Sequence, residues 1–405
     1  MLFRSREYKK KDSDIAIESA SALIGDVKSI NIDTEWPVLV EKLYSERVEI
    51  RIGSMKSMNK ILTVKYFGEE IQYYINNTVL GLVQILTHYI SQEEFTEALT
   101  VLCNLALTTF EEFETSSSVI LNELMPQLKN FQEDQSFSFF AIAFIVGLTV
   151  SHEDICLNVI NKFIDLILNK NTRSNLSGKM ISNCIYGITL LTSTFSDHVV
   201  ATEIYDKLIS LIDLGLTSQK FKVLEQVIVL IGIVYEALSK YEKTLEESDS
   251  NSQIGRLFML NYRSKINNIG NNVSKKENKK KLNSMANDLI DTFDEDVEET
   301  LRLVNQQVTI VGRRNGFILN AIRSITSFNF HNVMSNNPKV QEMLGYELME
   351  QKVAIRKQKE NKHETQQNRT LAAKERKMEI AKKRRQKESA NERSEERRVG
   401  KECRS

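Results

Sequence analysis

The clearest chemical signal in the sequence is a run of basic side chains at residues 352–387, which we call the basic segment. Its fourteen Lys and Arg residues are densest at residues 382–385. On a helix they would surround most of the surface, which suits a channel or groove lined by phosphate groups. We therefore predict that RNA is contacted by Lys352, Arg356, Lys357, Lys359, Lys362, Arg369, Lys374, Arg376, Lys377, Lys382, Lys383, Arg384, Arg385 and Lys387.

Two other interpretations fit the basic segment. It can be a solvated charged tail, or its cluster at residues 382–385 can be a nuclear import signal. No aromatic residue lies within the segment, so we do not expect it to recognise unstacked bases. Its charges predict contact with phosphates without readout of a base sequence.

No group of side chains in the sequence predicts catalysis or metal binding. The five His residues are scattered, without a His or acidic partner at helical spacing. Cys103, Cys156 and Cys184 occur singly within apolar runs, which indicates small core residues in a reducing compartment. We expect a binding protein with no enzymatic activity, cofactor, metal or small-molecule substrate.

Charge is unevenly distributed along the chain. The whole sequence has 54 basic and 54 acidic residues. Residues 351–405 hold 19 of the basic and 9 of the acidic residues, which leaves 35 basic and 45 acidic residues in residues 1–350. An acidic body therefore precedes a basic tail, and blocks of one sign are typical of interaction tails.

A strip of seven carboxylates lies late in the acidic body. It lacks the alternating spacing and the turn glycine of a calcium loop. We interpret it as the solvated start of a helix, which can also dock on the five lysines of residues 275–281. Its members are Asp288, Asp291, Asp294, Glu295, Asp296, Glu298 and Glu299.

The elements that must position these charges are helices. From Trp36 to about Tyr241, apolar residues recur at steps of three and four, and a small residue recurs within apolar helices at separations of 41, 40 and 45. This period predicts an all-α fold, an armadillo/HEAT-like α-solenoid followed by a C-terminal helical segment and a long basic helix. An irregular helical bundle is the alternative. The small residues are Ala106, Gly147, Gly187 and Gly232.

The junction between body and tail, residues 301–345, also has a helical pattern. Val304, Val308 and Val311 begin this pattern, and no alternation typical of strands is apparent. Asn337 and Pro338 predict an N-cap followed by a new helix, and the sequence allows that helix to reach Glu388.

Composition divides the chain into six parts. Residues 393–405 resemble a translated sequencing adapter, so we treat them as an artefact and exclude them from the fold. The parts are a flexible leader (1–34), armadillo-like helical repeats (35–242), a helix plus polar linker (243–287), a C-terminal conserved helical segment (288–345), a basic helix or tail (346–392) and the artefact (393–405).

We find no signal peptide or membrane span. Residues 1–11 are charged and lack an apolar stretch, and the longest apolar runs fall short of the roughly 20 residues that a membrane helix needs. We expect a protein of the cytosol, which can also enter the nucleus.

Three stretches carry a resemblance to a known family. Residues 39–62, LVEKLYSERVEIRIGSMKSMNKIL, precede LTVLCNLALT and DQSFSFFAIAFIVGLTV in the chain. In this order, and with the junction that follows, they resemble the interferon-related developmental regulator proteins. In the junction the matching residues are Ile310, Ile322, Ile325, Asn337, Val340, Leu344 and Gly345. Arg313, Asn329 and Val333 stand where animal members usually have Trp, Gly and His.

The resemblance implies an armadillo-like scaffold whose C-terminal region binds ribosomes that lack messenger RNA. Ribosomal RNA and ribosomal proteins would then be its partners, and the protein would repress translation. Other members are nuclear co-regulators that contact transcription or deacetylase complexes, so a nuclear scaffold is the alternative function.

Overall fold

The computed structural model describes residues 32–346 apart from residues 65, 67–68, 110–112, 131, 151, 247–253, 293–294, 296 and 304–306. The chain divides into two compact units, residues 1–347 and 348–405, and every described residue belongs to the first. The basic segment and residues 393–405 therefore lie outside the described residues.

Helices form most of the described chain. The first are α1 (Ile32–Leu43), α2 (Val48–Val64), α3 (Glu69–Gln72), α4 (Ile75–His88), α5 (Gln92–Thr109) and α6 (Glu114–Leu124). The 3-10 turns Met125–Asn130 and Glu133–Ser136 follow. Next come α7 (Phe137–Thr149), α8 (Glu153–Leu168), α9 (Lys170–Ser174), α10 (Gly178–Thr194), α11 (Asp197–Thr202), α12 (Tyr205–Leu216) and α13 (Phe221–Glu246).

The remaining elements combine helices with one hairpin. They are α14 (Ile254–Asn267), the 3-10 turn Ile269–Asn272, α15 (Lys276–Asp291), β1 (Glu298–Arg302), β2 (Gln307–Val311), α16 (Arg313–Thr326), the 3-10 turn Ser327–Asn329, α17 (Phe330–Asn336) and α18 (Pro338–Met343). Strands β1 and β2 pair antiparallel, with Thr300 opposite Thr309.

The helical repeats form two layers. Helices α2, α5, α7, α10 and α13 pack side by side in this order, and we call them the middle layer. Helices α1, α4, α6, α8 and α12 pack against them on one side, one from each repeat. Helix α7 is buried along its length because it touches α5, α6, α8 and α10, and this explains why its sequence is apolar on every face.

The recurring small residues all lie on middle-layer helices. At Gly187 of α10, a Cβ atom would stand 2.7 Å from the backbone oxygen of Phe139 in α7. At Gly147 of α7, a Cβ atom would stand 3.2 Å from Thr194 of α10. The small side chains thus let neighbouring helices approach closely, as the sequence predicts. The all-α helical-repeat fold is confirmed.

The hairpin corrects one expectation. Val308 and Val311 lie on β2, whereas the spacing of apolar residues predicted a helix there. Val308 and Ile310 face the core and their neighbours face solvent, so the segment has a period of two. Val308 and Val311 also fit a helical step of three, which made the two patterns hard to separate over five residues.

The polar linker predicted within residues 243–287 is mostly helical in the structure. Most of residues 254–291 is helical, in α14 and α15. Helix α15 is polar on its exposed side but buries Leu282, Met285, Ala286 and Leu289. The carboxylate strip does not start a helix either, because Asp288 and Asp291 end α15 while Glu298 and Glu299 lie on β1. Asp294 and Asp296 lie outside the described residues.

Asn337 and Pro338 start α18 as predicted, but that helix is short. It ends at Met343, since Gly345 has a positive φ of 71° and the amide of Tyr346 donates to the carbonyl of Gln341 at 3.0 Å. This bond pattern is a Schellman ending, in which glycine adopts the left-handed conformation. A single helix from Pro338 to Glu388 is therefore wrong.

Cys103, Cys156 and Cys184 are buried free thiols, as expected for core residues. Burial raises the pKa of the Cys156 thiol to about 11, and it raises the pKa of the other two as well. Among the described residues, no helix combines the length and apolar composition that crossing a membrane requires.

Candidate functional site

The candidate site is the seam between the middle layer and residues 312–346, which we call the docked segment. Helix α16 packs against α13, α10 and α5, and α17 packs against α2. The docked segment therefore reaches from the last repeat to the first.

Arg314 is the main polar anchor of the docked segment. Its guanidinium forms an ion pair with Asp197 and donates to the carbonyl oxygens of Ser193, at 3.2 Å, and Phe195. These carbonyls lie at the C-terminal end of α10, where helical carbonyls lack intrahelical partners. The planar guanidinium has five donors, so one side chain satisfies several of them.

Glu236 of α13 holds the first turn of α16. Its carboxylate accepts hydrogen bonds from the backbone amides of Arg313, at 2.5 Å, and Arg314, at 3.2 Å. A carboxylate here compensates the unpaired amides and the partial positive charge of a helix start. Gly312 makes the approach possible, because it has a φ of 93° and a Cβ atom on it would stand 2.7 Å from the carboxylate.

Arg313 is buried. Its guanidinium donates to the backbone carbonyl and the hydroxyl of Thr292, which follows α15. Its aliphatic part lies over Gly232, where a Cβ atom would be 3.3 Å from Cδ of the arginine. The small residue of the last repeat thus admits a side chain of the docked segment.

The far end of the docked segment is held by two asparagines. Asn329 donates to the hydroxyl of Thr63 at 2.6 Å, and Asn337 donates to the backbone oxygen of Leu107 at 2.6 Å. Asn337 also accepts from the amides that start α18, so its buried side chain serves as cap and anchor together. Val333 of α17 is buried as well.

The docked segment ends at a fixed point. The hydroxyl of Tyr346 donates to the backbone oxygen of Met334 at 2.7 Å, and burial raises the pKa of this tyrosine. Leu344 is buried beside the positive-φ Gly345. These contacts hold the last described residue of the docked segment, which precedes Lys352 by six residues in the chain.

The residues predicted to carry the family segment lie in or next to this seam. Gly345 ends α18 and Asn337 begins it. The other predicted residues are apolar and buried, namely Ile310, Ile322, Ile325, Val340 and Leu344. The sequence did not reveal Arg314, Asp197 or Glu236. The only sequence signal for them was the charged pair at residues 313–314 inside an apolar helical pattern.

The contacts of the seam hold the docked segment to the helical repeats. Across the part of the chain that the structure describes, no three or more His, Cys, Asp or Glu side chains are grouped to hold a metal. The polar groups named above are paired with each other, and the ring of Phe317 packs against that of Tyr186 of α10, tilted by 41° with ring centroids 4.8 Å apart. The predicted RNA-contacting residues, from Lys352 to Lys387, lie outside the described residues.

The comparison with protein families agrees with the helical repeats. The model of the interferon-related developmental regulator family matches residues 11–293, which is more than half of the chain. No curated protein matches the sequence. The docked segment lies beyond the matched residues, so its own likeness to the family stays a prediction. The matched range nevertheless spans all the repeats, and the chain belongs to the interferon-related developmental regulator (IFRD) family.

Proposed function

We propose that this IFRD-type regulator binds ribosomes that lack messenger RNA and represses translation, and that the basic segment makes the RNA contacts. The docked segment is the observation that best supports the proposal. It holds Tyr346, whose side chain is buried and hydrogen-bonded, six residues before the basic segment begins in the chain.

The charge of the chain supports an RNA contact at the tail. The body up to residue 350 is net acidic, so it is repelled by RNA as a whole, whereas residues 351–405 are net basic. The tail is therefore the part of the chain with the largest excess of positive charge, which favours its insertion into an RNA-lined path. Each phosphate contact releases counterions, so binding should weaken steeply with salt.

The alternative function is a nuclear scaffold that binds partners along the repeats. Helical arrays commonly bind partners along one side. Here the docked segment already packs on the middle-layer helices α2, α5, α10 and α13, and its Arg314 pairs with Asp197 of α11 and Glu236 of α13. A partner would have to displace these contacts or use another surface, and we therefore prefer the ribosomal function.

Sucrose-gradient sedimentation with ribosomes free of messenger RNA tests the proposal. The full chain is compared with a version that ends at Glu347, which keeps the buried Tyr346. We expect the full chain to migrate with the ribosomes at low salt and to dissociate at high salt, and we expect a much smaller fraction of the shortened chain to migrate with them at low salt. If the full chain fails to migrate with ribosomes at low salt, the proposal is wrong.

Replacement of Lys382, Lys383, Arg384 and Arg385 by Ala separates the two functions. If the cluster is only an import signal, the variant moves from the nucleus to the cytosol while its sedimentation is unchanged. We expect the ribosome-bound fraction to fall at moderate salt, because four phosphate contacts are lost.

A further inference from the structure

A second group of basic side chains lies on the described body, where the middle-layer helices α10 and α13 begin. Lys179 is in the first turn of α10, Lys220 and Lys222 flank the start of α13, and Lys281 lies on α15. We call these four lysines the basic edge. They come from three elements that are up to about a hundred residues apart in the chain.

Contacts between these elements bring the lysines together. The side chain of Lys220 lies against Gly178, where a Cβ atom would stand 2.5 Å from its Cδ. The hydroxyl of Ser182 in α10 donates to the backbone oxygen of Lys222 at 3.2 Å. Lys222 and Lys281 both donate to the carboxylate of Glu225. The edge is therefore continuous across α10, α13 and α15.

The basic edge carries excess positive charge on an acidic body. Glu225 is buried and neutralises part of the charge of Lys222 and Lys281. Glu277 is the exposed carboxylate on the neighbouring turn of α15. Further exposed lysines extend the edge along the start of α15, and they are Lys275, Lys276, Lys279 and Lys280.

An aromatic ring lies within the basic edge. The ammonium groups of Lys281 and Lys222 lie 5.0 and 5.6 Å from the ring centroid of Phe221, which is partly exposed. None of the exposed large apolar side chains of the described body belongs to the edge. A cluster of lysines alone is attracted to anionic lipid, but stable attachment to a membrane takes a second, apolar signal, whereas an RNA backbone needs only spaced cations, so the composition favours RNA.

We propose that the basic edge is a binding site for the phosphate backbone of RNA, separate from the basic segment. The inference rests on the proposed function for its biological setting, since it gives the body its own contact with ribosomal RNA. It predicts that the chain binds RNA both at the basic edge and at the basic segment. A rigid contact on the body would then restrict the directions in which the tail can leave.

The test uses the full chain and a labelled RNA duplex of arbitrary sequence, with affinity measured over a range of salt concentrations. The edge variant carries Lys179→Gln, Lys220→Gln and Lys222→Gln, which leaves Glu225 paired with Lys281. The control variant carries three matched changes at exposed lysines elsewhere, namely Lys42→Gln, Lys162→Gln and Lys243→Gln.

We expect the edge variant to bind the duplex several-fold more weakly at low salt and to have a salt slope smaller by about two, since each lost phosphate contact removes roughly 0.7–0.9 from the slope. We expect the control variant to behave like the unaltered chain. Equal affinities and slopes for the edge and control variants would overturn the inference. Binding of the same variants to vesicles containing phosphatidylserine is measured in parallel. The inference would also be overturned if the edge variant bound these vesicles more weakly but bound the RNA duplex like the unaltered chain.

The same variants separate this inference from the proposed function. If the unaltered chain binds the duplex but does not sediment with ribosomes, the proposed function fails while the basic edge can still be correct. If the chain sediments with ribosomes and the edge variant binds duplex and ribosomes normally, the inference fails and the proposed function stands.

Discussion

Arg314 joins parts of the chain that are more than a hundred residues apart, because it pairs with Asp197 and with carbonyls at the end of α10. The guanidinium and Asp197 are both partly buried, so removing the arginine leaves its partners with little access to water and without a donor. The arginine therefore matters more to docking than a surface ion pair would.

Arg314→Ala should lower the free energy of unfolding by about 2–4 kcal/mol, because Asp197 and the carbonyls of Thr192, Ser193 and Phe195 lose a donor. Urea denaturation measures this change, and hydrogen exchange should show faster exchange in α16. Arg302→Ala is the control, since Arg302 is exposed on β1. A loss that is no larger for Arg314 than for Arg302 would mean that the seam does not depend on this anchor.

Gly312 is needed both for its backbone conformation and for its lack of a side chain. Gly312→Ala should cost roughly 1–3 kcal/mol, since alanine is strained at positive φ and its Cβ atom would meet Glu236. Gly316→Ala lies one turn later in α16 with open space around it, and it should be neutral or stabilise by up to about 1 kcal/mol. Thermal unfolding of both variants distinguishes these effects, and equal changes would contradict the account.

Glu225 should make stability depend on pH. Burial opposes its ionisation, but hydrogen bonds from Lys281 and Lys222 outweigh burial and hold the pKa of this carboxyl below its ordinary value. Because the pKa is lowered on folding, the stabilisation is complete above the ordinary glutamate pKa of about 4.3 and disappears as pH falls through the lower folded value.

Urea unfolding at pH 6 and near pH 3 checks this sign. The unaltered chain should lose more stability between these pH values than Glu225→Gln, which has no carboxyl to protonate. A larger loss in the Glu225→Gln variant would show that the pKa of Glu225 is raised instead.

At the scale of elements, the packing of the middle layer depends on small residues. Gly187→Ala should destabilise the fold by about 1–3 kcal/mol, because its Cβ atom would press on the backbone oxygen of Phe139 and on the ring of Phe163. Gly53→Ala on α2 meets no neighbouring atom, so it should be neutral or stabilising. Denaturant midpoints of the two variants test the difference. Similar midpoints would mean that α7 and α10 are not packed as closely as the structure has them.

Sequence patterns predicted the elements that repeat. The period near 40 and the small residues identified the middle layer, because a repeated contact leaves the same residue type at the same place in each unit. Helix α15 was missed, since its Lys and Asn residues resembled a linker. Its signal was present at Leu282, Met285, Ala286 and Leu289, which follow helical spacing.

Tertiary pairings could not be derived from local patterns. Arg314 gives no sign in the sequence of pairing with Asp197, and Glu236 gives none of pairing with the start of α16, since each pair depends on how distant helices pack. Asn337 was predicted as a helix cap, and the structure adds its bond to Leu107. The local role was readable from the sequence, whereas the long-range role required the fold.

At the scale of the molecule, the chain combines two charge types. The docked segment lies on the helical repeats of an acidic body, and the basic residues 351–405 follow it in the chain. Because the tail is covalently linked to the body, any site that the body contacts also raises the effective concentration of the tail near that site. The basic edge would supply such a contact.

The central claim is that the basic segment contacts ribosomal RNA. The most direct test places a photoreactive amino acid at Met378, an uncharged position within the segment, and a control one at the exposed Val38 of α1. Crosslinks are then mapped on ribosomes that lack messenger RNA. We predict crosslinks from position 378 to ribosomal RNA that disappear at high salt, and none from position 38. Ribosome-bound protein that gives no RNA crosslink from position 378 would contradict the account.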